Sequence, residues 1–96
     1  MSNKLKITRF EDPGHSWFSV KRSLLAELNI LDKISGCSYQ KGQSVYLEED
    51  CDAGIFFKAY IKKEAITWND IQDTFEIISS HTNNSSPVRS YQGFQA

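Results

Sequence analysis

The fold is decided by the stretch Tyr46-Leu47-Glu48-Glu49-Asp50-Cys51-Asp52. Side chains alternate along a strand, so Leu47 points toward the core while Tyr46 faces the other side. An apolar helical pattern begins directly behind the acids. Asp50 is a favourable N-cap, and Asp52 lies in the first turn, where the helix dipole favours anions. The stretch therefore predicts a strand that runs into the main helix over residues 51–64.

Extended segments and tight turns predict two hairpins. The first turns at Asp12-Pro13-Gly14, where proline presets one turn angle and glycine accepts the next. The second turns at Lys41-Gly42, and its returning strand points Val45 and Leu47 inward. The four strands are predicted over residues 4–10, 16–20, 37–40 and 43–49.

A short helix is predicted between the two hairpins, over about residues 21–28. Three leucines recur there at helical spacing, and the hydroxyl of Ser19 can cap the first turn. Asn29 tolerates the left-handed conformation, so it is placed to end the helix.

The segment after the main helix fits two patterns. Large apolar residues from Trp68 to Ile78 form a helical stripe, whereas residues 74–78 fit a short buried strand equally well. Thr67 with Asp70 three positions later resembles a helix start. We favour a turn of helix followed by a strand.

These elements predict an α+β fold, in which a small, mostly antiparallel sheet packs against two helices in the order ββαββαβ. Residues 1–82 would form one compact domain. From residue 83 onward the composition shifts to Asn, Ser, Gly and Gln, so residues 83–96 are predicted to be a polar arm with little capacity to bury itself.

Composition narrows the functional classes. The chain has 96 residues and a net charge of −1, so it lacks the bulk positive charge of non-specific nucleic-acid binders. We therefore expect no nucleic-acid partner. Apolar runs are too short to cross a membrane, and the start has no hydrophobic signal core, which predicts a cytoplasmic protein. Oligomeric state is left open.

The acidic cluster Glu48, Glu49, Asp50 and Asp52 has three interpretations. It can cap the helix and form a solvated edge, which we favour. It can present an acidic patch to a basic partner. It can also gather a hard divalent cation, although such sites usually draw ligands from more than one segment, and residues at a strand end do not all converge.

Cysteine and histidine chemistry is the next possibility. Without a secretory signal we expect Cys37 and Cys51 to be free thiols. Cys51 near the helix start could act as a nucleophile with His15 or His81 as base, but the flanking acids raise its pKa. The same four residues have zinc-ligand chemistry without the paired short spacings of zinc motifs. We therefore predict that Cys51 is a small packed residue, and we predict no catalytic residue, no metal and no cofactor.

Aromatic residues and the arm offer a further surface. Trp17, Tyr39, Tyr46 and Tyr91 could line a concave binding surface or build the core. Arg89 and Tyr91 lie in the polar arm and could contact phosphate or stack on a base. A disordered tail, or a strand-like arm laid along its own domain, is the favoured interpretation of this segment.

The chain resembles a family of small uncharacterised proteins of bacteriophages, plasmids and bacterial genomes. The resemblance rests on three stretches and covers nearly the whole chain: Asp12-Pro13-Gly14-His15-Ser16-Trp17, the region from Ser38-Tyr39 through Gly42 to Asp52, and Pro87-Val88-Arg89-Ser90-Tyr91. It implies a mobile-element accessory protein of the bacterial cytoplasm and carries no established activity.

We therefore expect a non-enzymatic phage accessory protein that binds a host or defence protein, with antirestriction as the concrete version. The alternative is an enzyme or small-ligand binder with a pocket formed by His15, Glu48, Asp50 and Arg89. Convergence of those side chains would favour the pocket. The candidate contact residues are His15, Trp17, Tyr39, Tyr46, Glu48, Glu49, Asp50, Asp52, Arg89 and Tyr91.

Overall fold

A six-stranded sheet organises the protein, whose computed structural model describes residues 4–96. The strands are β1 (Leu5–Glu11), β2 (Ser16–Lys21), β3 (Tyr39–Lys41), β4 (Ser44–Glu48), β5 (Phe75–His81) and β6 (Gln92–Gly93). Their spatial order is β5-β1-β2-β4-β3-β6. The helices are α1 (Arg22–Glu27), α2 (Ala53–Glu64) and the single turn α3 (Ile71–Thr74), and short 3-10 turns cover Leu31–Lys33, Trp68–Asp70 and Pro87–Ser90.

Both predicted hairpins are confirmed. β1 pairs antiparallel with β2, and β3 pairs antiparallel with β4. Gly42 has a φ of +59°, a left-handed conformation that glycine adopts without steric cost, so the β3–β4 turn is tight. The two hairpins join through β2 and β4, while β5 lies parallel to β1. The predicted α+β class with a mostly antiparallel sheet is therefore confirmed, and β6 is added to it.

The core lies between α2 and one face of the sheet. Val45 and Leu47 are fully buried, as predicted. The helix contributes Phe56 and Phe57, whose rings pack edge-on or tilted against each other and against Phe75 of β5, with centroids 5.1 to 5.9 Å apart. Such aromatic pairs add about 0.5–1.5 kcal/mol each beyond their buried area.

The ends of α1 show one wrong and one confirmed prediction. Ser19 does not cap the helix, because it lies within β2 and the strand continues through Lys21 directly into the helix. Asn29 follows the helix with a φ of 58°, which is the predicted left-handed conformation.

The main helix begins later than predicted, at Ala53. Asp50 is not its N-cap, because the amides of Asp50 and Cys51 bond the Glu48 carboxylate in a turn that precedes the helix. Asp52 occupies the N-cap position, yet its carboxylate bonds the loop at Ser35 instead of the first helical amides. The acidic run therefore forms a separate turn before α2.

The segment after α2 follows the favoured interpretation. Thr67 and Asp70 form a reciprocal capping box, one turn of α3 follows, and β5 then runs to His81. The prediction that this strand is buried is wrong. Only Phe75 is buried within it, and Ile77 and Ile78 are 40% and 46% exposed, because β5 lies at the edge of the sheet.

The C-terminal segment lies along its own domain, which is the strand-like alternative. β6 pairs with β3, and Val88 and Phe94 are 1% and 7% exposed. The expectation that this segment has little capacity to bury itself is therefore wrong, because two apolar side chains within the polar run reach the sheet and the core.

Candidate functional site

Glu48 is the centre of the acidic junction. One carboxylate oxygen, Oε2, accepts the backbone amides of Asp50 and Cys51 at 2.9 Å each. The other, Oε1, lies 3.4 Å from Nδ1 of His15. Glu48 is buried, whereas His15 and Asp50 are exposed. Each of the three residues offers a nitrogen or oxygen ligand atom, and those atoms all lie within 4.8 Å of one another.

Glu49 points to a different neighbour. The hydroxyl of Ser16 donates to Oε2 of Glu49, and Arg9 approaches Oε1 at 3.2 Å. The Ser16 hydrogen bond, helped by the charge of Arg9 and opposed by partial burial, holds the pKa of Glu49 below its ordinary value. Glu49 therefore ties β4 to β1 and β2.

Asp52 is buried and joins the loop before β3 to the start of α2. Its carboxylate accepts the backbone amide and hydroxyl of Ser35, at 3.1 and 2.8 Å, and the hydroxyl of Ser38 at 2.5 Å. Ser38 in turn accepts the amide of Glu48 at 3.0 Å. The four acids therefore do not all converge, as expected for a strand end: Glu48 and Asp50 meet, whereas Glu49 and Asp52 bond other partners, and Asp52 is structural.

The thiols do not form a nucleophilic site. Cys37 and Cys51 are free, as predicted, but both are exposed rather than packed. Hydrogen bonding to Cys37 and then to Glu48 raises the pKa of Cys51 to about 12, so the thiol stays protonated at neutral pH. The four-residue zinc set is not assembled either, because His81 lies 3.5 Å from Glu11, across the sheet from the junction.

The predicted aromatic residues meet, but the arm covers them. The ring of Tyr91 lies 5.0 Å from that of Tyr46, and the guanidinium of Arg89 lies 5.2 Å over Trp17. Tyr39 packs edge-on against Trp17 at 6.2 Å. These residues therefore form a packed cluster on the far face of the sheet, in which Trp17 is buried and the three tyrosines stay partly exposed.

Trp17 is the most enclosed member of this cluster. It is 1% exposed, and its indole Nε1 finds no hydrogen-bond partner within residues 4–96. Burial, with neighbouring Tyr91, raises the pKa of the Tyr46 phenol above its ordinary value. Both features reflect the low-polarity space beneath the arm.

Arg89 is paired with Asp12. Its Nε and Nη2 donate to Oδ2 and Oδ1 of Asp12 at 2.6 and 3.0 Å. The predicted pocket of four residues is thus brought together in part: His15, Glu48 and Asp50 meet, whereas Arg89 forms a separate ion pair.

A groove on the helix side of the molecule was missed at the sequence level. A cavity of about 520 Å³ lies between α1, the sheet and the end of α2, and a second of about 670 Å³ lies between α1, the following turn and α2. The two share Glu27, Leu28 and Lys63 in their walls, so we describe them together as the lysine groove.

The lysine groove has an apolar floor and a positive rim. Partly buried side chains form much of the floor, including Leu24, Leu28, Ile55 and Ala59. The rim carries Lys6, Lys21, Lys33, Lys58, Lys62 and Lys63, all of them exposed. Its acidic side chains are Glu27 and Glu64. Six of the eleven basic side chains of the chain therefore line this groove.

One local signal for the groove exists in the sequence. Lys58 and Lys62 are four positions apart and so share one face of α2, with Ile55 and Ala59 beside them. Lys63 lies on the same helix, whereas Lys6, Lys21 and Lys33 come from β1, β2 and the turn after α1, and only the fold brings these three to the same rim.

Within residues 4–96, none of the helices has the length and apolar character needed to cross a membrane. Comparison of the chain with protein-family models, with curated proteins and with solved structures gives no significant match.

Proposed function

We propose that this protein is a non-enzymatic binding module whose lysine groove takes an acidic, apolar segment of a partner protein. The observation that carries the proposal is the composition of the groove: an aliphatic floor beneath six exposed lysines, with Glu27 and Glu64 as the acids of its walls. Helix-in-groove recognition uses such a floor for apolar anchors, and a charged rim selects partners of opposite sign.

The shape of the groove favours a peptide over a nucleic acid. Single-stranded nucleic acids are bound by stacking bases on exposed aromatic rings. Here the aromatic walls, Tyr60 and Phe75, are buried, and the accessible floor is aliphatic. Carboxylates spaced along an amphipathic helix can reach lysines on both rims while the apolar side chains enter the floor.

The partner is proposed to be a host or defence protein, with inhibition of a defence system as the specific outcome. This choice of partner is supported by the resemblance of Asp12-Pro13-Gly14-His15-Ser16-Trp17 and Pro87-Val88-Arg89-Ser90-Tyr91 to small phage and plasmid proteins. It is independent of the chemistry of the groove, which identifies only the kind of segment that binds.

Fluorescence anisotropy with a labelled peptide tests the groove. The probe is an amphipathic helical peptide carrying Leu on one face and Glu on the other, and the comparison peptide has Gln in place of every Glu. Saturable binding of the Glu peptide, weakened by salt and by the Gln replacement, is expected. Absence of saturable binding, or equal affinity for single-stranded DNA of the same charge, would overturn the proposal.

The chain offers a matched charge control. The variant Lys58→Glu with Lys62→Glu reverses two rim charges and should weaken binding about tenfold, given ~0.2–1 kcal/mol for each exposed pair lost and a similar repulsion gained. Lys4→Glu with Lys41→Glu changes the net charge equally at lysines outside the groove walls. Equal weakening by the two double variants would indicate attraction by net charge alone.

A further inference from the structure

We propose that His15, Glu48 and Asp50 form a binding site for a divalent transition-metal ion of the Zn²⁺ type. The three side chains supply one nitrogen and two carboxylate ligands within 4.8 Å of one another. They come from two chain segments, the β1–β2 turn and the β4–α2 junction, so the site exists only in the folded protein. It lies outside the walls of the lysine groove.

The first two ligands already have the separation that a metal ion requires. Nδ1 of His15 lies 3.4 Å from Oε1 of Glu48. Two ligands bound at about 2.1 Å in a tetrahedral arrangement are about 3.4 Å apart. Asp50 is exposed, so its carboxylate can move onto the ion without disturbing the core. Water would fill the remaining fourth position.

Neighbouring hydrogen bonds hold Glu48 in place. Its Oε2 accepts the amides of Asp50 and Cys51, which fixes the carboxylate and leaves Oε1 toward His15. The same turn carries the backbone of Asp50. Partners of this kind orient metal ligands and usually change metal affinity when they are removed.

The turn that carries His15 is also fixed. The amide of His15 donates to Oδ1 of Asp12 at 2.9 Å, and the amide of Asp12 donates to the carbonyl of His15 at the same distance. The imidazole lies 6.1 Å from the buried ring of Trp17. The backbone that carries His15 is therefore fixed before any ion arrives, while its imidazole stays half exposed and accessible to the ion.

The ligand types select the class of ion. Imidazole suits Zn²⁺ and related transition metals, whereas Mg²⁺ and Ca²⁺ favour shells made of oxygen. The structure thus assigns Zn²⁺ over Mg²⁺ at this site.

The chain contains a natural comparison pair. His81 Nδ1 lies 3.5 Å from Glu11 Oε1, nearly the same geometry as His15 with Glu48. Among residues 4–96, however, the group of three ligand residues that converges is the one at His15. We therefore expect Zn²⁺ to bind weakly to the two-residue pair at His81 and more tightly to the three-residue group at His15.

Isothermal titration with ZnCl₂, in a buffer that does not chelate the ion, tests the site. One ion per chain is expected, with His15→Ala and Asp50→Asn each weakening binding by more than about tenfold and His81→Ala changing it less than about twofold. In NMR spectra the ring signals of His15 should shift with Zn²⁺ while those of His81 hold. Circular dichroism verifies that the variants are folded.

Three results would overturn the proposal. The first is that the wild-type protein binds Zn²⁺ no more tightly than the folded His15→Ala variant does. Another is an equal loss of affinity in His81→Ala. The third is loss of Zn²⁺ binding in the folded variant Cys37→Ser with Cys51→Ser, which would assign the ion to the exposed thiols. Retention of binding in that variant supports the histidine–carboxylate site.

Discussion

Arg89 donates two hydrogen bonds to Asp12 across 77 positions of the chain, at 2.6 and 3.0 Å. Asp12 also accepts the amides of Gly14, His15 and Ser86, so a single carboxylate joins the β1–β2 turn to the C-terminal segment. The pair is bidentate, which fixes direction as well as distance. It holds the arm over the aromatic face of the sheet.

Replacing Arg89 tests this anchor. Arg89→Gln should lower the melting temperature clearly, because Asp12 then loses the cation that offsets its enclosed charge. Arg9→Gln is the matched control, since Arg9 forms partly exposed pairs with Glu11 and Glu49 and its loss should cost less than about 1 kcal/mol. Equal losses in thermal unfolding would contradict the anchoring role.

Acid should weaken the protein through Asp12. Arg89 first, and then the amide of Ser86, hold the pKa of Asp12 far below its ordinary value of 3.8. The stability from this lowered pKa is fully present above the unfolded-state value and is lost as the pH falls below it. Urea unfolding at about pH 6 and about pH 3 should show a smaller acid loss in Asp12→Asn than in wild type. Equal losses would refute the assignment.

The two acids that flank Cys51 should differ in their effect on folding. Asp52→Ala removes bonds from Ser35 and Ser38 to a buried carboxylate and should cost about 2–3 kcal/mol. Asp50→Ala changes an exposed side chain and should stay within about 0.5 kcal/mol. Chemical denaturation measures both, and a larger loss for Asp50 would restore the original capping hypothesis.

Deleting residues 87–96 should destabilise the domain. The deletion removes the buried side chains Val88 and Phe94, strand β6 and the Arg89 anchor. Burial of the two apolar side chains alone is worth about 3–5 kcal/mol. A truncated protein with an unchanged unfolding midpoint would show that the segment only decorates the fold.

Local patterns predicted most of the secondary structure. The two hairpins, the left-handed Asn29 and the capping box at Thr67 depend on residues within a few positions of one another. That the carboxylate of Asp52 does not cap α2 depends on distant partners, since it bonds Ser35 and Ser38 instead of the helix amides. The capping propensity of an aspartate does not reveal whether a distant hydrogen-bond donor will compete with the helix amides for its carboxylate.

The candidate sites likewise combine residues that the sequence indicated with contacts that only the fold brings about. The alternative pocket hypothesis places His15 with Glu48, but the distance between them follows from the pairing of β1, β2 and β4. The burial of Trp17 under Arg89 needs the return of the arm. The rim of the lysine groove combines residues from several elements. The spacing of Lys58 and Lys62 on α2 is the one part of it that a sequence pattern indicates.

The most direct test of the binding module is a map of amide chemical-shift changes as the Leu–Glu peptide is added to isotopically labelled protein. If the peptide binds in the lysine groove, the largest chemical-shift changes are expected along α2 from Ile55 to Lys63 and at Leu28 of the facing wall. Shifts concentrated at residues 46–52, or in the arm at Arg89 and Tyr91, would contradict it.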